Sequence, residues 1–350
     1  MIRVRIAKPG GYERLAIESA PDPAPGPGEV VIESKAIGVN FADCIARMGL
    51  YKSAREFVGW PLTPGFEVAG RVAALGEGVS DFAVGQRVFA LSLFDAYASK
   101  VCVPIEQLRP IPGGWSEAQA AGFPTVFLTA WYALHELGGI RAGDRVLVHS
   151  AAGGVGQALV QLALDAGARP VAVIGASHKR EALAGYDIPV IDKSREPLWA
   201  AAEDHAPDGY DLIADANGYP TLAESYRHLA AGGRLLIYGF HGMFRPDRKG
   251  RGRVNWPAMI AGWLRTPRFN PLRLTSDNRS VMGFNLSFMG EHRDVLGRGL
   301  DHLVQRAEAG RLQALPVTSY PFEAVARAHR DLESGQTTGK LVLLPDQSAD

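Results

Sequence analysis

Two cysteines, Cys44 and Cys102, are all that the 350-residue chain contains. That scarcity excludes a disulfide framework and a cysteine-rich zinc site, and it fits a reducing, cytoplasmic setting. An excess of either charge is missing too, because 37 basic side chains face 37 acidic ones. No overall field draws the protein toward nucleic acid, which disfavours that class of partner. No apolar run is long enough to span a bilayer. The opening MIRVRIAKPGGYE enters an alternating strand pattern with no apolar stretch behind its charges, unlike a signal peptide. Internal repeats are absent as well.

What is present suits a globular α/β protein. Hydrophobic residues make up 47% and charged residues 21%, and the forty glycines suit a fold with many tight strand-to-helix turns. The length predicts two domains, each burying its own core. Up to about residue 124, short apolar runs at 30–34, 68–75 and 87–91 are punctuated by turns such as DPAPGPGE, which reads as β-rich. Beyond Thr125, strands alternate with helix-sized stretches, predicting a parallel sheet covered by helices. The strands expected are RVLVHSA (145–151), RPVAVIG (169–175), PVID (189–192), YDLIADA (210–216) and RLLIYGF (234–240). The tail from Pro321 reads as an amphipathic helix, a glycine turn and a last strand that returns to the first domain. The expected division is 1–124 with 291–350, and 125–290.

The sequence RVLVHSAAGGVG (145–156) reads as a strand, a tight turn and a helix start. A dinucleotide site must bring backbone amides up to a pyrophosphate at a helix N-terminus, where side chains would obstruct. The pattern is Ala151-x-Gly153-x-x-Gly156, with Gly154 and Val155 between, and alanine standing at the usual first glycine. Gly153 lets the phosphate approach and Gly156 lets the helix pack on the strand. After the second strand an acid normally binds the ribose of NAD. Here the sequence is GASHKRE, with Ser177 in that place and His178, Lys179 and Arg180 behind it. Together with Lys193 these suit the extra phosphate of NADP; solvated cations at a helix start are the plain alternative.

The chain resembles the zinc-independent quinone oxidoreductases of the medium-chain dehydrogenase/reductase superfamily, nearly end to end. The resemblance is carried by GVNFADCIARMGLY (38–51), PLTPGFEVAGRVAALGEGVSDFAVGQRV (61–88), VLVHSAAGGVG (146–156) and SVMGFNL (280–286). NFAD, ARMGLY, HKREAL and GFNL look most like the branch of vesicle amine transport protein homologues. The resemblance implies a GroES-like domain beside a Rossmann domain, a homodimer, and an NADPH site in the cleft between the domains. Where zinc-dependent members offer Cys, His-Glu and Cys to a metal, this chain has Asn40, Phe66 with Glu67, and Thr125. Phenylalanine cannot bind zinc, and two cysteines cannot build a four-thiolate lobe, so no metal is expected.

Without a Lewis acid an alkoxide has little to stabilise it, so reduction of a quinone or enone is easier than alcohol oxidation. The expected reaction is of the NADPH:quinone oxidoreductase type, with reduction of an enoyl or alkenal double bond as the alternative. Asn40, Asp43 and Tyr51 are the polar candidates for the substrate pocket. Asn40 would hydrogen-bond a carbonyl, and Tyr51 would stack on a ring or deliver a proton. Asn40 capping a turn and Asp43 holding a loop are the plain readings. Phe66 and Thr125 would line the space left by the metal. Arg279 resembles a family arginine near the active site, with a surface ion pair as its alternative. By resemblance the nicotinamide lies against Gly239 and Phe240, Phe284 and Leu286 meet its carboxamide, and Val155 and Asn217 border the cleft. Ile45 and Lys193 stand where some members have tyrosines, which removes an aromatic wall.

One biased segment remains. HGMFRPDRKGRGRV clusters arginines and is followed by an apolar run flanked by Trp256 and Trp263. A loop and helix over the cofactor cleft is the plain reading. The sharper one, a catalytically weak NADPH-binding protein, puts this segment on a membrane surface.

Overall fold

The computed structural model describes residues 1–244, 250–289 and 292–345. They fall into two compact units, bounded as Met1–Thr125 with Pro246–Val254 and Ser287–Asp350, and Val126–Arg245 with Asn255–Leu286.

The first unit is built on a seven-stranded sheet whose long central strand, Glu29–Val39, pairs with Glu67–Leu75, Lys100–Pro104 and Lys340–Leu344, all antiparallel. Two register shifts in its pairing with Glu67–Leu75 bend it. Its core gathers Val30, Ile32, Ile37, Val68, Val88 and Leu341; each such fully buried side chain contributes about 1.5–3 kcal/mol. The last strand does return to this unit, after the helix Val325–Glu333. Residues 250–254, which the sequence-based division left with the nucleotide-binding part, lie in the first unit. The backbone N–H of Tyr12 donates to the Arg251 carbonyl at 3.1 Å, Arg47 donates to the Gly252 carbonyl at 2.7 Å, and Arg253 pairs with Glu13 at 2.9 Å.

The second unit is a doubly wound parallel sheet. Its strands are β1 (Arg145–Val148), β2 (Arg169–Ile174), β3 (Val190–Asp192), β4 (Tyr210–Asp215), β5 (Leu229–Ile237) and β6 (Ser280–Gly283). In space they run β3-β2-β1-β4-β5-β6. Near-continuous apolar runs such as RVLV and RPVAVI fit strands covered on both faces. The helix Gly154–Asp165 follows β1, with residues from Gly156 to Ala163 buried. The strand order places a switch point beside β1, and ligands of such sheets bind outside the carboxyl ends of the strands. β5 begins five residues before RLLIYGF, and β6 was not placed as a strand from the sequence.

Candidate active site

Every cofactor candidate is at or just beyond the carboxyl edge of the parallel sheet. The glycine turn follows β1, Ser177 follows β2, Lys193 follows β3, Asn217 follows β4, Gly239 and Phe240 follow β5, and Phe284 and Leu286 follow β6. Ser150 takes a left-handed conformation, φ 54°, to make the turn, and Gly153 precedes the helix. The two glycines are required for different reasons. A Cβ at Gly156 would come within 2.6 Å of Ala151 Cα, so the helix could not pack on the turn. A Cβ at Gly153 would meet only the Ser150 carbonyl, at 3.4 Å. The fold itself tolerates a side chain there, so the bare backbone leaves room for an anion at the helix N-terminus. Beside it Asn217 accepts from the Ser150 hydroxyl at 3.0 Å, while its buried Nδ2 has no partner among the described residues. One orphaned buried donor and bare backbone fit a dinucleotide phosphate at this edge.

Ser177 donates to Asp192 at 2.6 Å and accepts from Arg195 at 3.1 Å. Hydrogen bonds from Ser177 and then Ser194 hold the Asp192 carboxyl below the usual range. Burial, and then the neighbouring charge of Lys193, push the Lys179 ammonium below its ordinary value. Two lysines close enough to repel form a place where an added anion is favoured. Beneath this edge His149, fully buried, meets Ser225 at 3.0 Å, and Ser225 donates to Asp215 at 3.0 Å. Burial holds the His149 pKa down.

The first unit assembles a second site. Asn40, Glu67 and Thr125, far apart in sequence, meet there, and Phe66 is the residue just before Glu67. The fully buried Glu67 carboxylate accepts from Asn40 Nδ2 at 2.8 Å and from the Thr125 backbone N–H at 2.8 Å. The remaining partner is Lys340, whose ammonium is 2.6 Å from Glu67 Oε1. Tyr51 packs edge-on to Phe66 at 5.7 Å, and its hydroxyl is 2.8 Å from Ser287 Oγ. Phe94 completes the aromatic wall, 5.0 Å from Phe66.

Two catalytic candidates are placed elsewhere. Asp43 is wholly buried and accepts from Asn40 N (2.8 Å), Gly65 N (2.9 Å) and Tyr97 Oη (3.1 Å), so it anchors the loop instead of lining a pocket. Burial pushes its carboxyl up to about 7. Arg279 precedes β6, at the amino end of the parallel sheet and thus opposite the glycine turn; its guanidinium donates to the Tyr226 carbonyl at 3.2 Å and lies over that ring. Sequence reasoning missed Lys340, because a lysine opening a strand usually points to solvent. It also missed the buried trio of Cys44, His329 and Glu333, whose ligand atoms lie within 4.8 Å of one another. Arg47 is 2.8 Å from Glu333 and already supplies the cation that this carboxylate takes. Of the biased segment, 245–249 lie outside the described residues. The helix Trp256–Arg265 exposes Trp256, Ile260, Trp263 and Leu264.

Residues 26–123 match the alcohol dehydrogenase GroES-like domain, and residues 185–343 the zinc-binding dehydrogenase family. The synaptic vesicle membrane protein VAT-1 homolog of Rattus norvegicus is 33% identical over 340 residues, spanning 96% of this chain and 82% of its own. The crystal structure of CurK enoyl reductase superposes with a TM-score of 0.84 at 28% identity, over 98% of each chain. The Escherichia coli quinone oxidoreductase, in complex with NADPH, superposes with a TM-score of 0.82 at 27% identity, over 99% of this chain and 100% of that one. A GroES-like unit joined in one chain to a Rossmann sheet defines a medium-chain dehydrogenase/reductase, an oxidoreductase superfamily. Within it the chain belongs to the VAT-1 homologue branch.

Proposed function

We propose that the chain is a zinc-independent, NADPH-dependent oxidoreductase that reduces a quinone or related conjugated carbonyl. The observation that carries this reading is the content of the site on the first unit. Asn40, Phe66 and Thr125 stand where zinc-dependent relatives place ligands, and Glu67 is bonded to the Lys340 ammonium. That set offers hydrogen-bond donors in place of a Lewis acid.

The dinucleotide, when bound, supplies the hydride. Gly154 and Val155, the first residues of the helix, present backbone N–H groups to its pyrophosphate past the bare Cα of Gly153, whose own N–H is taken by the Ser150 carbonyl, and Lys179 and Lys193 take the phosphate that distinguishes NADPH. Asn40 donates to the acceptor's carbonyl oxygen, which orients it and stabilises the charge that develops there. Tyr51 holds a proton at Oη, against the aromatic wall of Phe66 and Phe94. The functional division taken is the first unit for substrate and the second for cofactor, in a cytoplasmic homodimer.

Reduction of an enoyl or alkenal double bond is the second reading, supported by the likeness to CurK enoyl reductase. A third, a lipid-surface role, is supported by the exposed apolar face from Trp256 to Leu264. One panel separates them: NADPH oxidation with ortho- and para-quinones, alkenals and enoyl thioesters. Turnover of quinones supports the proposal. Turnover of alkenals or enoyl thioesters without quinones supports the second reading, and silence with tight NADPH binding and capture by anionic liposomes supports the third.

A further inference from the structure

We infer that Lys340 is a positioning residue for the reaction: it fixes the Asn40 side-chain amide so that one N–H is aimed at the substrate carbonyl. The inference rests on the reductase reading and adds to it a role for Lys340 in aiming the Asn40 donor. Lys340 is 3% exposed, and its ammonium donates to Val39 O at 2.8 Å, Asn40 Oδ1 at 2.6 Å and Glu67 Oε1 at 2.6 Å. An ammonium has three hydrogens. All three are engaged, so Lys340 has none left for a substrate and acts only through what it holds.

What it holds is the Asn40 amide. Lys340 is a pure donor, so it selects the oxygen end; the Glu67 carboxylate is a pure acceptor, so it selects the nitrogen end. The two partners thereby remove the ambiguity between amide orientations. Glu67 uses one Nδ2 hydrogen of Asn40. The other has no acceptor among the described residues, and it is the donor a carbonyl would meet. The Asp43 backbone N–H also reaches the Asn40 side chain in the capping box that opens the helix Phe41–Arg47; loss of Lys340 removes the charged donor from the oxygen end and so weakens the preference for this amide orientation.

Two glycines make room for this arrangement. A Cβ at Gly122 would sit 2.7 Å from Lys340 Cγ, and a Cβ at Gly38 would overlap Glu67 Oε1 and the Ala121 carbonyl. A buried ion pair is not needed merely to tie the last strand to its neighbours, since apolar residues of similar volume do that as well or better.

The test is a double-mutant cycle on steady-state reduction of a quinone at saturating NADPH. Lys340→Met alone leaves Glu67 as a buried unpaired charge, so Lys340→Met is combined with Glu67→Gln to keep the fold. Relative to Glu67→Gln alone, this pair is expected to lower kcat by about 10- to 100-fold with NADPH affinity unchanged. In the Asn40→Ala background, itself slow, the same pair should cost less than about twofold more. An unchanged kcat in the pair, an equal loss in the Asn40→Ala background, or an active Asn40→Ala overturns the inference. A crystal structure of the pair gives a readout without turnover. A turned Asn40 amide supports the positioning role, and an amide held as before overturns it. If the wild-type protein reduces no acceptor, the reductase reading falls by itself and that structure still decides what Lys340 does.

Discussion

Lys340 Nζ and Glu67 Oε1, on two strands that flank the same central strand, lie 2.6 Å apart with both side chains almost wholly withdrawn from water. Removing one partner of such a pair leaves an uncompensated buried charge, so Lys340→Met alone should lower unfolding free energy by about 3–5 kcal/mol. Adding Glu67→Gln should recover most of that loss. Urea denaturation of the two variants reads the difference, and equal losses would show that the carboxylate is not held by the ammonium.

The two repelling lysines at the carboxyl edge give the cofactor preference its own test. Lys179→Ala with Lys193→Ala should raise the KM for NADPH by about tenfold or more, the scale of a lost charged hydrogen bond, and barely change that for NADH. A parallel rise for both cofactors would assign the lysines to general phosphate attraction instead of the distinguishing one.

Tyr51 touches Ser287 through its hydroxyl and Phe66 through its ring edge. Tyr51→Phe keeps the ring and removes the proton, so kcat should fall by about 10²-fold or more, the scale of general acid catalysis, while NADPH affinity holds. Unchanged turnover would leave Tyr51 as a wall of the pocket only.

Asp43 carries a pH signature in stability. Burial raises its folded carboxyl to about 7, above the range it has in the unfolded chain. The native state therefore binds the proton more tightly, and the stability this contributes is present at acid pH and lost as pH rises toward 7. Asp43→Asn abolishes that titration and disturbs three accepted hydrogen bonds, at a cost of about 1–3 kcal/mol. The stability gap between wild type and variant should narrow as pH rises from 5 to 8, by on the order of a few kcal/mol. A gap independent of pH would contradict the burial argument.

Much of the second unit was legible because its signals are local. Apolar runs and the glycine turn at 151–156 lie within a few residues of what they specify, and β1 to β4 came out close to their expected limits. β5 was read late because Gly232 and Gly233 look like a turn, and β6 is only four residues long. The first unit's site was legible only by resemblance, since Asn40, Glu67 and Thr125 converge through the sheet and share no periodicity. Lys340 was invisible for the same reason: its partners are supplied by strands early in the chain. Asp43 and Arg279 were polar residues in suggestive segments, and the structure gives both of them other work.

The most direct test of the account is NADPH-dependent reduction of an ortho-quinone by protein exhaustively treated with a metal chelator. The account predicts turnover equal to that of untreated protein and unchanged by added zinc. Activity lost to the chelator and restored by zinc would contradict it.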